Sequence, residues 1–356
     1  MPFAAFMSLA LYDPKHGYYA AGATRTGWRG HFLTSSELDP SFGELWAAGF
    51  VELWVASGRP DPFHVIEIGP AEGGFARAVL DASEGQFAKS LRYHLVERVS
   101  GVAERQQARL EGDARAAWHS SIVDVPELGD GCVFANEVLD NLPVHLVRRD
   151  PDGLKELCVE VSDGELILTP RPPSNPELQN FLERVGVDLP EGHIYEVGLA
   201  AESLVARAAQ VITRGALVFV DYGAEAGDLA HRSAGSLLCY SDAGVDAEPL
   251  ERAGEKDITV HANWTAIGAA LESAGLVTCG PRSQRDVLLA LGARDLDGRF
   301  KTAHSEALAA RKGAEAMAFL SRRQALGALL DPGGLGGLDV LAGISPGLDV
   351  SFLRSS

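Results

Sequence analysis

"VIEIGPAEGGFARAVL", residues 65–80, is the stretch on which the fold turns. An apolar, β-branched run ends at Glu67, Gly69 and Pro70. Gly73 and Gly74 follow, and then an apolar spacing that suits a helix. The same rhythm repeats downstream. "FHVIEIG" reads as a strand, 74–83 as a helix, "RYHLVE" as a strand, 98–111 as a helix and "GCVFANE" as a strand. Short β-rich runs alternating with helical ones predict βαβ units around a parallel sheet, an α/β fold.

Upstream, residues 2–11 read as a helix stopped by Asp13-Pro14, followed by a loop rich in Gly, Thr and Ser. Helix 41–57 places Phe42, Leu45, Trp46, Phe50, Leu53 and Trp54 on one face, a core stripe. Downstream, "VHLVRRDPDGLKELCVEVSDGELILTP" predicts three antiparallel strands joined by D-P-D-G and S-D-G turns, closed by "PRPPSNP". Helix 199–213 and strand "ALVFVDYG" resume the α/β pattern. Residues 224–256 read as a long Gly, Ala and Ser-rich loop of the kind that carries function. Helix 263–275, a strand near 276–279, helix 283–292, a long helix near 303–329 and a strand near 338–343 complete the chain. The expected organisation is an N-terminal helical and lid segment (1–60), a Rossmann-like core (61–144 with 199–223 and 257–356), an antiparallel β insertion (145–198) and the loop 224–256.

With 356 residues there is ample material for a core, and the net charge of −18 makes duplex nucleic acid a poor partner. A cationic partner is electrostatically easier to attract. Cys132, Cys158, Cys239 and Cys279 form no C-x-x-C pair, so neither a metal site nor a disulfide framework is expected, and Cys132 and Cys279 read as buried thiols. No run suits a bilayer, and the apolar opening lacks a basic n-region, so no membrane association and a cytoplasmic location are expected.

After the first strand, Gly69, Pro70 and Gly73 let a ligand approach the backbone, and the next helix offers free N–H groups. Glu97 ends the second strand, where an acid commonly accepts hydrogen bonds from ribose hydroxyls. Glu67 in the turn opposes a pyrophosphate but suits S-adenosylmethionine, which has no phosphate and carries an ammonium and a sulfonium. A purely structural glycine turn is the alternative. "ANEVLDNLPVH" (135–145) follows the third strand, and ligands of open α/β sheets bind at the carboxyl ends of strands. Asn136, Glu137 and Asp140 are therefore candidates to meet the reactive end of the cofactor. Capping of a short turn before Pro143 is the alternative, though it does not explain three polar groups at one strand end.

"FMSLALYDPKHGYYA", "GHFLTSSELDPSFGELW", "EIGPAEGG", "YHLVE", "ANEVLDNLPVH", "EGHIYEV", "LVFVDYG" and "GEKDITVHANW" occur here in the order seen in the MidA family. This chain resembles that family, which includes the mitochondrial complex I assembly methyltransferase and bacterial relatives, over nearly its whole length. The resemblance implies a class I S-adenosylmethionine-dependent methyltransferase with a Rossmann-like sheet. It implies Glu67, Gly69, Pro70, Gly73, Glu97 and Asn136 as cofactor residues. Glu137, Asp140 and Asp221 become the acids that orient a nitrogen and take its proton, with His261 as the alternative base. Thr34, Ser35 and Glu37 resemble the family's lid, Tyr222 lines the acceptor side, and Asp257 and Thr259 close over it.

Three departures stand out. His31 replaces the acid of the family's G-D-F, Ala71 replaces a glycine of G-P-G-x-G, and Tyr240-Ser241-Asp242 replaces a "YRGH"-like stretch. The first and third alter the acceptor side. The acceptor implied by the family is a protein or peptide nitrogen of arginine type. A small-molecule acceptor and a non-catalytic, cofactor-binding assembly factor are the alternatives. Ala71 is tolerable if its φ is negative and strains the turn if φ is positive.

Overall fold

The computed structural model describes residues 1–20 and 34–354. His31 and its Gly30–Phe32 neighbours lie outside the described residues. The chain divides into two compact units: 34–136, 209–220 and 275–354 in one, and 1–20, 137–208 and 221–274 in the other.

The first unit is built on seven strands: β1 (Phe63–Ile68), β2 (Leu91–Val96), β3 (Ala116–His119), β4 (Leu128–Asn136), β5 (Ile212–Asp221), β6 (Val277–Ser283) and β7 (Asp339–Ile344). Their order is β6-β7-β5-β4-β1-β2-β3. β3, β2, β1, β4 and β5 pair in parallel, and β6 runs antiparallel to β7. This is the parallel-rich α/β sheet expected from the strand–helix alternation. All six residues of β1 are buried, as the unbroken apolar run of a two-sided parallel strand requires. Helix Ser41–Ala56 buries Phe42, Leu45, Trp46, Phe50, Leu53 and Trp54, the predicted stripe. Trp46 meets Phe134 of β4 edge-on at 4.7 Å, and Phe75 stacks on Phe134 at 4.8 Å. Each such ring contributes ~1.5–3 kcal/mol by burial, so this aromatic cluster fixes the first helices against the sheet.

The second unit holds a four-stranded antiparallel sheet in the order Glu165–Arg171, Gly153–Ser162, His145–Asp150, Ile194–Val197. Three of these strands are the predicted insertion. Val147 packs with Leu178, Phe181 and Tyr195. Its neighbour Leu146 packs with Phe3, Met7 and Leu11 of helix Phe3–Tyr12. Successive side chains point to opposite faces of a strand, so strand His145–Asp150 is covered on both sides, while Glu165–Arg171 at the sheet edge is largely exposed.

Several expectations need correction. Residues 224–256 are not one structureless loop. They carry helix Ala226–Ala230 and strands Leu238–Ser241 and Gly244–Asp246. The strands escape a sequence reading because each is three or four residues long and Gly and Ala flank them. The predicted helix near 303–329 is two helices, Ala293–Ala309 and Gly313–Leu329, broken where Arg311 adopts φ 57°. Cys132 is buried as expected, whereas Cys279 on β6 is only half-buried.

Candidate active site

The turn after β1 has a defined build. Gly69 donates its N–H to Val96 O of β2 at 3.1 Å, and Gly73 N–H closes onto Pro70 O at 2.8 Å. Gly69 and Gly73 have φ of 66° and 77°, and Ala71 has φ 44°. The left-handed region costs a residue with a Cβ roughly 1–2 kcal/mol, so Ala71 is strained and is held by its surroundings. Helix Ser100–Arg109 does the holding. Gln106 Nε2 donates to Ala71 O at 2.7 Å, Arg109 Nη1 donates to Glu72 O at 3.1 Å, and Arg105 Nη2 pairs with Glu72 Oε1 at 2.8 Å.

Glu67 lies beneath this turn with 3 % exposure and accepts a hydrogen bond from Tyr93 OH at 2.8 Å. Burial pushes its carboxyl up to about 8, so it is largely neutral at pH 7 until a cation joins it. Glu97 follows β2. Its Oε1 accepts from Val99 N–H at 2.8 Å and its Oε2 faces Gln106 Nε2 at 3.5 Å. Gln106 thus ties the strained turn to the acid that a ribose would use. Asn136 is the buried last residue of β4.

Glu37, from the lid-like stretch, lies beside the glycine turn. Its Oε1 accepts from Gly74 N–H at 3.2 Å and its Oε2 lies 3.6 Å from Arg109 Nη1, so it belongs to the glycine turn. Ser35 is fully buried against Gln284, with Gln284 Nε2 donating to Ser35 Oγ at 3.0 Å. Thr34 precedes helix Ser35–Leu38 and pairs locally with Ser36 at 3.3 Å. Sequence spacing alone does not show which way a four-residue helix turns its side chains.

Glu137, the residue after Asn136, belongs to the second unit. Glu137 has φ 52°, a left-handed conformation rare for a glutamate. Its cause is Asp221. Asp221 Oδ2 accepts the N–H groups of Val138 (3.1 Å), Leu139 (2.9 Å) and Asp140 (3.2 Å), and Oδ1 accepts that of Tyr222 (2.9 Å). One buried carboxylate thus gathers three successive amides and curls the chain. Burial and the Asp140 and Glu137 charges push the Asp221 carboxyl up, and the four N–H donors oppose them. Both Asp221 oxygens are thus engaged by the main chain.

Asp140 is placed differently. It is 2 % exposed, its Oδ2 accepts from Tyr222 OH at 2.8 Å, and its buried Oδ1 has no hydrogen-bond partner among the described residues. Burial pushes its carboxyl up to about 6, partly opposed by the Tyr222 bond. His261 lies beside Tyr222, ring centroids 6.0 Å apart, with its buried Nδ1 unpartnered among the described residues. Burial lowers its imidazole to about 4, which makes it a weak base. Asp257 accepts from Tyr19 OH at 2.9 and 3.0 Å and from Asn141 Nδ2 at 2.9 Å. Thr259 Oγ1 donates to Leu238 O at 3.4 Å. Asp257 and Thr259 are therefore occupied within the fold.

Sequence reasoning missed Gln106, Tyr93, Tyr19 and Asn141. For Gln106 no signal existed, since helix Ser100–Arg109 is mostly polar and Gln107 beside it is exposed. For Tyr19 none did either, because its partner lies 238 residues away. Among the described residues, no group of three or more His, Cys, Asp or Glu could hold a metal, and no helix is long and apolar enough to cross a membrane.

Comparison with known proteins follows this geometry. Residues 45–282 match the family model described as "Putative S-adenosyl-L-methionine-dependent methyltransferase". The mitochondrial protein arginine methyltransferase NDUFAF7 of Mus musculus is 30% identical over 251 residues, covering 62% of this chain and 56% of that protein. The human protein of the same name is 28% identical over 250 residues, covering 62% of this chain and 55% of the relative. The chain thus spans little more than half the length of these relatives, whose names place them in mitochondria and lend no support to a cytoplasmic location. A crystal structure of a candidate methyl transferase from Burkholderia thailandensis, bound to S-adenosyl-homocysteine, superposes with a TM-score of 0.84 at 30% identity. The match covers 98% of this chain and 88% of that one.

Proposed function

Because the chain belongs to the MidA-like family of S-adenosyl-L-methionine-dependent methyltransferases, we propose that it transfers a methyl group from S-adenosylmethionine to a nitrogen of a protein or peptide, of arginine type. The observation that carries this is the Glu137–Asp140 turn: two acids set by a buried carboxylate, with the Asp140 Oδ1 unpartnered among the described residues.

The first unit fits the cofactor. The main chain of Gly69–Gly73 offers a close approach, Glu97 suits the ribose hydroxyls and Glu67 suits an ammonium. A Cβ on Gly74 would fall 3.1 Å from both Glu37 Oε1 and Arg109 Nη1, a tight fit that these side chains would have to shift to admit. S-Adenosylmethionine supplies an already activated methyl group, which leaves the protein to orient the acceptor. A guanidinium is a poor nucleophile because it stays protonated. Glu137 and Asp140 orient it, and Asp140, with its carboxyl near 6, takes the departing proton. Tyr222 fixes Asp140 and Asp221 fixes the turn. The relatives named protein arginine methyltransferase support the acceptor class.

Incubation with methyl-labelled S-adenosylmethionine and an arginine-containing peptide should place label on the peptide. The rate should rise with pH through about 6 as Asp140 ionises. Asp140→Asn should lower kcat ~10²-fold or more, within the range for a positioned acid–base group, and remove the acid limb. Label confined to small molecules would replace the peptide acceptor with a metabolite. Failure to bind S-adenosylmethionine would end the enzymatic reading.

A further inference from the structure

The motif "YDPKHGYYA" has no role in the mechanism so far, yet the structure gives it one. Asp13 Oδ1 accepts from the N–H groups of Lys15 (2.9 Å) and His16 (2.8 Å), which turns the chain at the end of helix Phe3–Tyr12. Gly17 allows the return, because a Cβ there would fall 2.5 Å from Asp13 N. The chain then lies back along the helix, with Tyr18 and Tyr19 N–H groups bonded to Ala10 O (2.9 Å) and Leu11 O (3.0 Å).

This places two tyrosine hydroxyls on the acid turn. Tyr12 OH donates to Asn141 O at 3.1 Å. Tyr19 OH straddles the Asp257 carboxylate, and that carboxylate also accepts from Asn141 Nδ2. Asn141 Nδ2 reaches Ile258 O at 3.2 Å as well, and Val260 N–H donates to Asp140 O at 2.9 Å. The two tyrosine rings stack at 5.5 Å, so the hydroxyls are presented from a rigid pair. Asp257 and Asn141 are 6 % and 8 % exposed. Buried polar networks of this kind specify one geometry when every member is satisfied.

We propose that Tyr19 is a positioning residue: through Asp257 and Asn141 it locks the 3₁₀ turn Leu139–Asn141 and so sets the Asp140 carboxylate for the reaction. The catalytic consequence rests on the methyltransferase reading above; the lock itself does not. Asp257, on this account, is an internal anchor and not an acceptor contact.

Hydrogen exchange on the full chain tests the lock without any acceptor. Tyr19→Phe keeps the ring and removes the hydroxyl. The amides of 138–141 and 260 should exchange ~10-fold faster, with the melting temperature and the protection of β1 unchanged. If Tyr19→Phe does not fold, Tyr12→Phe, which removes one bond to Asn141 O, should give a smaller increase at the same amides. Kinetics with the arginine peptide adds a readout that a merely structural role would not move: kcat should fall ~10-fold while the KM for S-adenosylmethionine stays within about twofold. Unchanged exchange at 138–141 overturns the lock. Faster exchange with an unchanged kcat overturns its catalytic part. A wild-type protein that binds the cofactor but never labels the peptide overturns the acceptor reading alone, since the exchange result still decides the lock.

Discussion

Ala71 and Glu67 show how one residue can carry cost and purpose together. Ala71 sits at φ 44° where glycine would be unstrained, and the Gln106 bond to its carbonyl keeps it there. Ala71→Gly should therefore stabilise the protein by about 0.5–1 kcal/mol, less than the full left-handed penalty because glycine also gains freedom when unfolded. Denaturant titration would show it, and a lower midpoint would mean that the alanine methyl is a packing contact. Glu67 makes a prediction about binding. Its carboxyl is raised to about 8 by burial, and on the proposed contact with the cofactor's ammonium it should ionise, so that cofactor binding should release a proton. Affinity should rise with pH between about 5.5 and 7, by up to ~10-fold per unit, before the ligand's own α-amine titrates. Calorimetry should find that slope in the wild type and lose it in Glu67→Gln. Glu97→Ala should weaken binding by ~1.5–3 kcal/mol, the value of a hydrogen bond to a charged group.

At the scale of elements, strands and helices with a strong period were legible, and so was the glycine turn between them. β1, β2, β4 and the helix Ser41–Ala56 follow from apolar runs and a 3.6-residue stripe. Short elements were not, because strands such as Leu238–Ser241 draw their stability from partners that have no local signature. The candidate acids were visible at the strand ends, but their division of labour was not. Nothing in "DYG" distinguishes a carboxylate that binds four amides from one that binds substrate. The same limit hid a ladder of imidazoles. His64 Nδ1 lies 3.0 Å from His94 Nε2, and His94 Nδ1 lies 3.0 Å from His119 Nε2, across β1, β2 and β3. Burial, with the flanking imidazoles, lowers His94 to about 4. Its folded value lies below its unfolded one, so the unfolded chain takes the proton first as pH falls. The ladder's stabilisation is complete above about pH 6.5 and is lost between 6.5 and 4. Allowing for partial solvent contact, the loss should be ~1–3 kcal/mol. Urea titrations over that range should show a shallower decline for His94→Asn than for the wild type, and equal slopes would remove the ladder from the acid response.

For the whole molecule, a net charge of −18 constrains which acceptors arrive easily. A field of this sign draws cationic peptides and repels acidic ones, and salt screens it over roughly 8 Å at physiological ionic strength. The two ligands should therefore respond differently to salt. An arginine-rich peptide carries several positive charges and meets the summed field before it docks, so its KM should rise several-fold between about 50 and 500 mM salt. S-Adenosylmethionine carries about one net positive charge, and its main proposed partners, Glu67 and Glu97, are buried or braced within the fold. Its Kd should change by less than about twofold over the same range, because partly buried pairs are screened much less than exposed ones. Steady-state kinetics at varied salt, beside calorimetry of the cofactor, separates the two. A peptide KM that is flat with salt would mean that recognition is short-range and that the charge serves solubility alone. An acceptor of low charge, such as a neutral metabolite, would then become the better substrate class to test.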